Sequence, residues 1–188
     1  MKLLLVRPKS LNILANINLI NLEPLELEYL YTVANQEKVN CEILDCLYDD
    51  RSLAEALESF NPDMVAISGY ITQEPIIIEC SKIIKKHNSN IKIVVGGVHA
   101  EVNYKRFYVD TIDYVVRSSS LEPFKQLLRL NDRSEEDNLG SIEGISYRIN
   151  NKWMENKPLK IDPNKLPIPD RTHFNLSKNN YRYLGFAP

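Results

Sequence analysis

Apolar and polar positions along the chain follow two alternating periods. Short apolar runs at residues 2–6, 39–44, 64–67, 91–95 and 112–116 read as strands, the first of them continuous enough to be buried on both faces. Helical spacing fills the intervals. Leu27, Leu30, Tyr31 and Ala34 form a stripe over 25–37, with Pro24 at its start. Ala54, Leu57 and Phe60 do the same over 52–60, and Asn61-Pro62-Asp63 stops that helix. Ile77, Cys80, Ile83 and Ile84 face inward over 74–87. A short helical segment over 103–109 and a last helix over 121–130 complete the alternation.

Five strands separated by helices, joined by right-handed crossovers, predict an α/β fold: a flavodoxin-like doubly wound parallel sheet of order 2-1-3-4-5. This unit spans residues 1–130, with its switch point between the first and third strands. Beyond it the pattern changes. Residues 131–140 are a polar, acidic linker. Residues 145–149 alternate like a strand, Asn150-Asn151 signals a turn, and 152–155 can return as a hairpin partner. The four prolines of 158–169 predict an extended connector, and 170–188 is aromatic and basic without periodicity. The second region, 131–188, therefore reads as linker, β-hairpin and Pro-rich bridge.

Composition narrows the partners. At 188 residues with 44% hydrophobic and 26% charged side chains, the chain has an ordinary globular balance. A net charge of -2 gives no global attraction to nucleic acid or an acidic membrane, so neither is expected as a partner. No apolar run approaches the ~20 residues that span a bilayer. The N-terminal apolar run ends early at Arg7-Pro8 without a small-residue cleavage site, and reads as a strand. Cys41, Cys46 and Cys80 form no Cys-x-x-Cys pair; reduced thiols and a cytoplasmic location are expected.

The candidate chemistry sits at two strand ends. The third strand runs into Ser68-Gly69-Tyr70-Ile71-Thr72 and the fourth into Gly96-Gly97-Val98-His99-Ala100. Ligands of open α/β sheets bind beyond the carboxyl ends of the strands, where glycines let a bulky group approach the backbone. Three common occupants of this fold do not match. A phosphoacceptor site needs an acidic cluster after the first strand, where Arg7-Pro8-Lys9-Ser10 stands. A flavin mononucleotide needs a compact Ser/Thr/Gly phosphate loop there, whereas the long segment 7–24 has no glycine. No Gly-x-Gly-x-x-Gly follows any strand, against a dinucleotide site.

A long first loop, hydroxyls after strand three and a glycine pair after strand four resemble the cobalamin-binding domain. Ser68 to Thr72 is similar to that family's serine motif, and Gly96-Gly97 to its glycine pair. The resemblance implies that the dimethylbenzimidazole tail threads between these strands, with hydroxyls meeting the buried base and the glycines clearing its path. It extends outside the motifs. Glu23-Pro24-Leu25-Glu26-Leu27-Glu28-Tyr29-Leu30 resembles the Pro-Leu-Gly-Leu-x-Tyr-Leu helix start of cobalamin-dependent radical S-adenosylmethionine enzymes. Asp113-Tyr114-Val115-Val116-Arg117 and the bridge Leu166-Pro167-Ile168-Pro169-Asp170-Arg171 are also similar to that group. The match covers essentially the whole chain.

Three departures qualify what the resemblance implies. The Cys-x-x-x-Cys-x-x-Cys that holds the iron–sulfur cluster and S-adenosylmethionine is absent, so those cofactors are expected only in a radical domain in cis, before which this sequence stops. The Asp-x-His-x-x-Gly loop is absent too, and His87, His99 and His173 lie elsewhere; cobalamin is expected base-off, without a protein histidine on cobalt. The family's Arg-Gly-Glu-Gly-Glu after strand five is here Arg117-Ser118-Ser119-Ser120-Leu121-Glu122.

The expected cofactor-binding residues are Ser68, Gly69, Tyr70, Thr72, Gly96, Gly97, Val98, His99, Arg117 and Ser118. Several have a plainer reading. Ser68 can satisfy its own backbone, and Thr72 can cap the following helix. His99 can be a surface or cap residue, Tyr70 core, Arg117 a strand-end ion pair, and Ser118 to Ser120 a helix cap. The implied function is the cobalamin-binding module of a radical S-adenosylmethionine methyltransferase or of a cyclase of the Mg-protoporphyrin IX monomethyl ester type, the piece alone carrying no catalytic residue. The alternative is a degenerate structural or substrate-docking domain that keeps the fold without cofactor.

Overall fold

The computed structural model describes residues 1–9, 24–130, 138–159, 164 and 166–172. The loop after the first strand over 10–23, most of the acidic linker, part of the Pro-rich connector and the aromatic-basic end with His173 lie outside the described residues.

One sheet organises the rest. Its strands are β1 (Lys2–Arg7), β2 (Asn40–Asp45), β3 (Met64–Ser68), β4 (Lys92–Gly96), β5 (Tyr114–Val116), β6 (Ile145–Ile149) and β7 (Lys152–Glu155), in the order β2-β1-β3-β4-β5-β6-β7. The first five pair in parallel in the predicted order. The predicted hairpin is present, and it does more than follow the sheet: β6 pairs antiparallel with β5, so the sheet has seven strands rather than five. Arg117 secures this junction by donating to the carbonyls of Ile145 (3.0 Å) and Asn156. Trp153 of β7 stacks on Tyr108, ring centroids 4.3 Å apart.

Helices α1 (Leu25–Gln36) and α5 (Glu122–Leu128) cover one face; α2 (Leu53–Phe60) and α3 (Glu74–His87) cover the other with α4 (Val98–Asn103). The period-two alternation of side chains sorts the strands between two cores. Leu3, Leu5, Ala66, Val94 and Val116 meet α1 and α5, while Leu4, Val6, Val65, Ile67, Ile93 and Val95 meet the opposite helices. Local signals agree with this packing. Ser52 and Glu55 form a reciprocal capping box at the start of α2, and Asn61 ends it in the left-handed region at φ 48°.

One predicted element moves. The short helix read over 103–109 begins instead at Val98, and a 3-10 turn over Tyr104–Phe107 follows it. Gly97, at φ 97°, turns the chain directly out of β4, and burial of His99 and Ala100 anchors the helix more than one turn earlier than the apolar pattern indicates.

Candidate functional site

The carboxyl ends of β3 and β4 meet in register: Ala66 pairs with Val94 and Ser68 with Gly96. Ala66, Ser68 and Gly96 are small and share the sheet face that carries α1 and α5. The helices cannot close on so little side-chain volume, and a cavity of about 270 Å³ remains. Its floor is Ala66, Ser68, Val94, Gly96 and Val116; α1 contributes Glu26, Tyr29 and Leu30, α5 contributes Phe124, and Leu166 lies across it. A larger cavity of about 450 Å³ lies at the opposite end of the sheet, around Pro62, Asn88 and Leu128. Ligands of such sheets bind at the carboxyl ends, which assigns the smaller cavity as the candidate site.

The two glycines have different parts. A β-carbon at Gly96 would find only Val116 Cβ, at 3.8 Å, so this glycine keeps the cavity open. A β-carbon at Gly97 would come within 3.0 Å of Ser68 Oγ and 3.1 Å of Gly69 O, in a backbone conformation L side chains avoid. Gly97 thus lets the turn after β4 lie against the end of β3. At Gly69 a β-carbon would strike Ile77 and Gln73.

Of the ten predicted residues, Ser68, Gly96, Gly97, Val98 and Ser118 line the cavity; Gly69, Tyr70, Thr72, His99 and Arg117 do not. Ser68 is 4% exposed. Tyr70 is exposed at the carboxyl edge of the sheet, not core. Thr72 is exposed and caps nothing: Gln73 holds the N-cap position of α3. His99 is neither a surface nor a loop residue. It is buried in α4 with Nε2 2.6 Å from Glu74 Oε2, and Asn103 Nδ2 is 3.3 Å from its Nδ1. Arg106 also bonds Glu74 and holds that carboxyl below its usual value, with His99 adding to the effect. Among the described residues Arg117 makes no strand-end ion pair; it is committed to the hairpin carbonyls and lies 4.9 Å from the Tyr104 ring centre. Ser118 to Ser120 all line the cavity, but none is the helix cap: Leu121 holds the N-cap position of α5 without a side-chain cap bond, while Ser118 Oγ accepts from Ser120 N–H and Ser120 Oγ from Glu122 N–H.

Four residues escaped the sequence reading. Glu26 lines the cavity, and burial pushes its carboxyl above the usual range. Its signal was available: it stands where the resembling helix start carries glycine. Glu101 lines the rim and accepts from Ser119 Oγ at 2.5 Å. Gln73, 6% exposed, ties the two walls of the crevice, donating to Pro8 O at 2.5 Å and accepting from Tyr70 N–H at 2.9 Å. Leu166 reaches the cavity from a distant segment, which no local pattern announces. Elsewhere, burial pushes the Cys41 and Cys46 thiols up to about 12 and Cys80 to about 11, and all three are free. Among the described residues no cluster of His, Cys, Asp and Glu could hold a metal ion, and no helix is long and apolar enough to cross a membrane.

The site therefore suits a flat, largely apolar group inserted beside Gly96, with hydroxyls at one end and carboxyls at its rim. Residues 18–128 match the B12 binding domain family. An uncharacterized methyltransferase of Pyrococcus horikoshii is 30% identical over 98% of this chain, which spans 41% of that protein's length. The fold is similar to a cobalamin-dependent S-adenosylmethionine radical enzyme, OxsB, solved with aqua-cobalamin and S-adenosylmethionine bound. The TM-score is 0.68 at 18% identity, over 89% of this chain and 24% of that one. The apo form of OxsB gives the same TM-score of 0.68 at 16% identity, over 95% of this chain and 25% of that one.

Proposed function

The chain belongs to the B12-binding domain family, and from that premise we propose that it is the cobalamin-holding part of a radical S-adenosylmethionine methyltransferase. The observation that carries the reading is the register pair Ser68–Gly96, which opens onto the cavity. Gly96 gives the nucleotide tail its entrance, and the apolar walls Leu30, Val94, Val116 and Phe124 bury the base. Ser68 Oγ supplies a hydrogen-bond donor to a ring nitrogen inside an apolar site, where an unpaired polar atom is costly. Val98, which lines the cavity, and Tyr70 and Ile71 after β3 are exposed apolar side chains at the carboxyl end of the sheet, and would offer contact to the corrin. When bound, cobalamin supplies a cobalt centre able to carry a methyl group.

With the base buried beside Gly96, cobalamin would be held base-off, and because the sequence places no histidine before His87 the loop after β1 offers no imidazole to take the base's place on cobalt. The chain spans less than half of its curated methyltransferase relative. We place the iron–sulfur cluster, S-adenosylmethionine and substrate on a radical domain in cis; methyl transfer is favoured over cyclase chemistry by that relative. The three free thiols suit a reducing cytoplasm.

Titration of the purified chain with hydroxocobalamin, followed by desalting and absorbance, tests the reading. Retained corrinoid with a base-off spectrum is the expected result. A chain that keeps its fold and retains no corrinoid at a large excess overturns it.

A further inference from the structure

Residues 166–172 return to helix α1 after the hairpin. Asp170 N–H donates to Thr32 Oγ1 at 2.6 Å, Asn35 Nδ2 donates to Asp170 Oδ2 at 3.2 Å, and Arg171 Nε lies 3.4 Å from Glu28 Oε2. Glu28 is fully buried, so Arg171 brings positive charge to a carboxylate removed from water, where such charge counts most. Thr32 uses its hydroxyl twice, donating to Glu28 O at 2.7 Å while accepting from Asp170. Residues 28, 32 and 35 share one stripe of α1 at helical spacing. Glu26, Tyr29 and Leu30, on the neighbouring stripe, form the cavity wall, and Leu166 at the front of the same segment lines that cavity.

We propose that residues 166–172 are a strap seated on the back of α1, and that its seating and occupancy of the cavity are coupled. Leu166 is the contact, and Thr32, Asp170 and Arg171 are positioning residues that hold it there. The inference rests on the cobalamin reading of the cavity. Because coupling between two binding events is reciprocal, the ligand must secure the strap by the factor by which the strap secures the ligand.

The peptide bond after Arg171, a half-exposed side chain, lets trypsin read the strap directly. Cleavage at that bond, followed by mass spectrometry, is expected to slow about 5-fold or more with saturating hydroxocobalamin, the lower end of typical coupling factors. Thr32→Val, which removes the seat without entering the cavity, should weaken corrinoid retention by a similar factor, and Thr32→Ser should restore it. Corrinoid retained by the unmodified chain with unchanged cleavage at Arg171 overturns the strap and leaves the cobalamin reading standing. So does Thr32→Val with unmodified retention. An unmodified chain that retains no corrinoid overturns the cobalamin reading and the coupling with it.

Discussion

Replacing Gly96 by valine separates the fold from the site. Gly96 lies at the end of β4 and is not among the described glycines with positive φ, so a β-branched residue fits the backbone there. Its β-carbon would meet Val116 at 3.8 Å, an ordinary contact. Glycine within a strand costs roughly 0.5–1 kcal/mol against a residue with a side chain, so Gly96→Val should hold or slightly raise stability. Binding should respond in the opposite sense. A buried aromatic of nucleobase size removes about 150 Å² from water, which at ~25 cal/mol/Å² is about 4 kcal/mol. At about 1.4 kcal/mol per decade, excluding the tail weakens cobalamin roughly a thousandfold. Cobinamide, which lacks the nucleotide tail, supplies the control. Equilibrium dialysis of both corrinoids, with thermal unfolding of the free proteins, should show cobalamin affinity collapsing, cobinamide affinity nearly unchanged and Tm preserved. Full cobalamin affinity in a folded Gly96→Val protein would refute the assignment of the tail to this cavity.

Other substitutions probe neighbouring features. Gly97→Ala places a β-carbon 3.0 Å from Ser68 Oγ at φ 97°, and should cost roughly 1–3 kcal/mol in chemical denaturation with or without corrinoid. An unchanged denaturation midpoint would contradict the close turn. Gln73→Ala cuts both links between Pro8 and Tyr70, and should cost about 1–3 kcal/mol and loosen amide exchange at Tyr70; protection equal to the unmodified protein would count against the tie. Glu26 carries a carboxyl raised above 4.5 by burial, so the folded state binds its proton more tightly. Its stabilising contribution is present below 4.5 and is lost as pH rises through the raised folded value. Urea midpoints between pH 4 and 8 should therefore fall more steeply with pH than those of Glu26→Gln, and parallel profiles would dismiss the effect.

The sheet was legible because burial on two faces writes itself as apolar runs, and the helices because one buried stripe recurs at 3.6 residues. Ser68 and Gly96 could be paired from sequence because parallel strands of matched length end together. The difference between Gly96 and Gly97 could not, since it lies in a backbone angle and in what packs against each one. His99 misled for a related reason: helix α4 starts at the glycine turn without an apolar preamble, so a residue buried against Glu74 and Phe107 looked like part of a loop. Leu166, Gln73 and Glu101 join the site through contacts between segments far apart in sequence, which local pattern does not encode. Residues 10–23 and 173–188 carry expectations outside the described structure.

The hairpin has a consequence for how the chain behaves in concentrated solution. Without β6, the short buried strand β5 would present a bare row of amides and carbonyls to any neighbouring molecule. With it, the outermost strand on that side is β7, four residues long, ending in Lys152 and Glu155, with Trp153 turned onto Tyr108. Short, charged borders are poor templates for adding another strand. The sheet is therefore guarded on this flank against growing from one chain into the next.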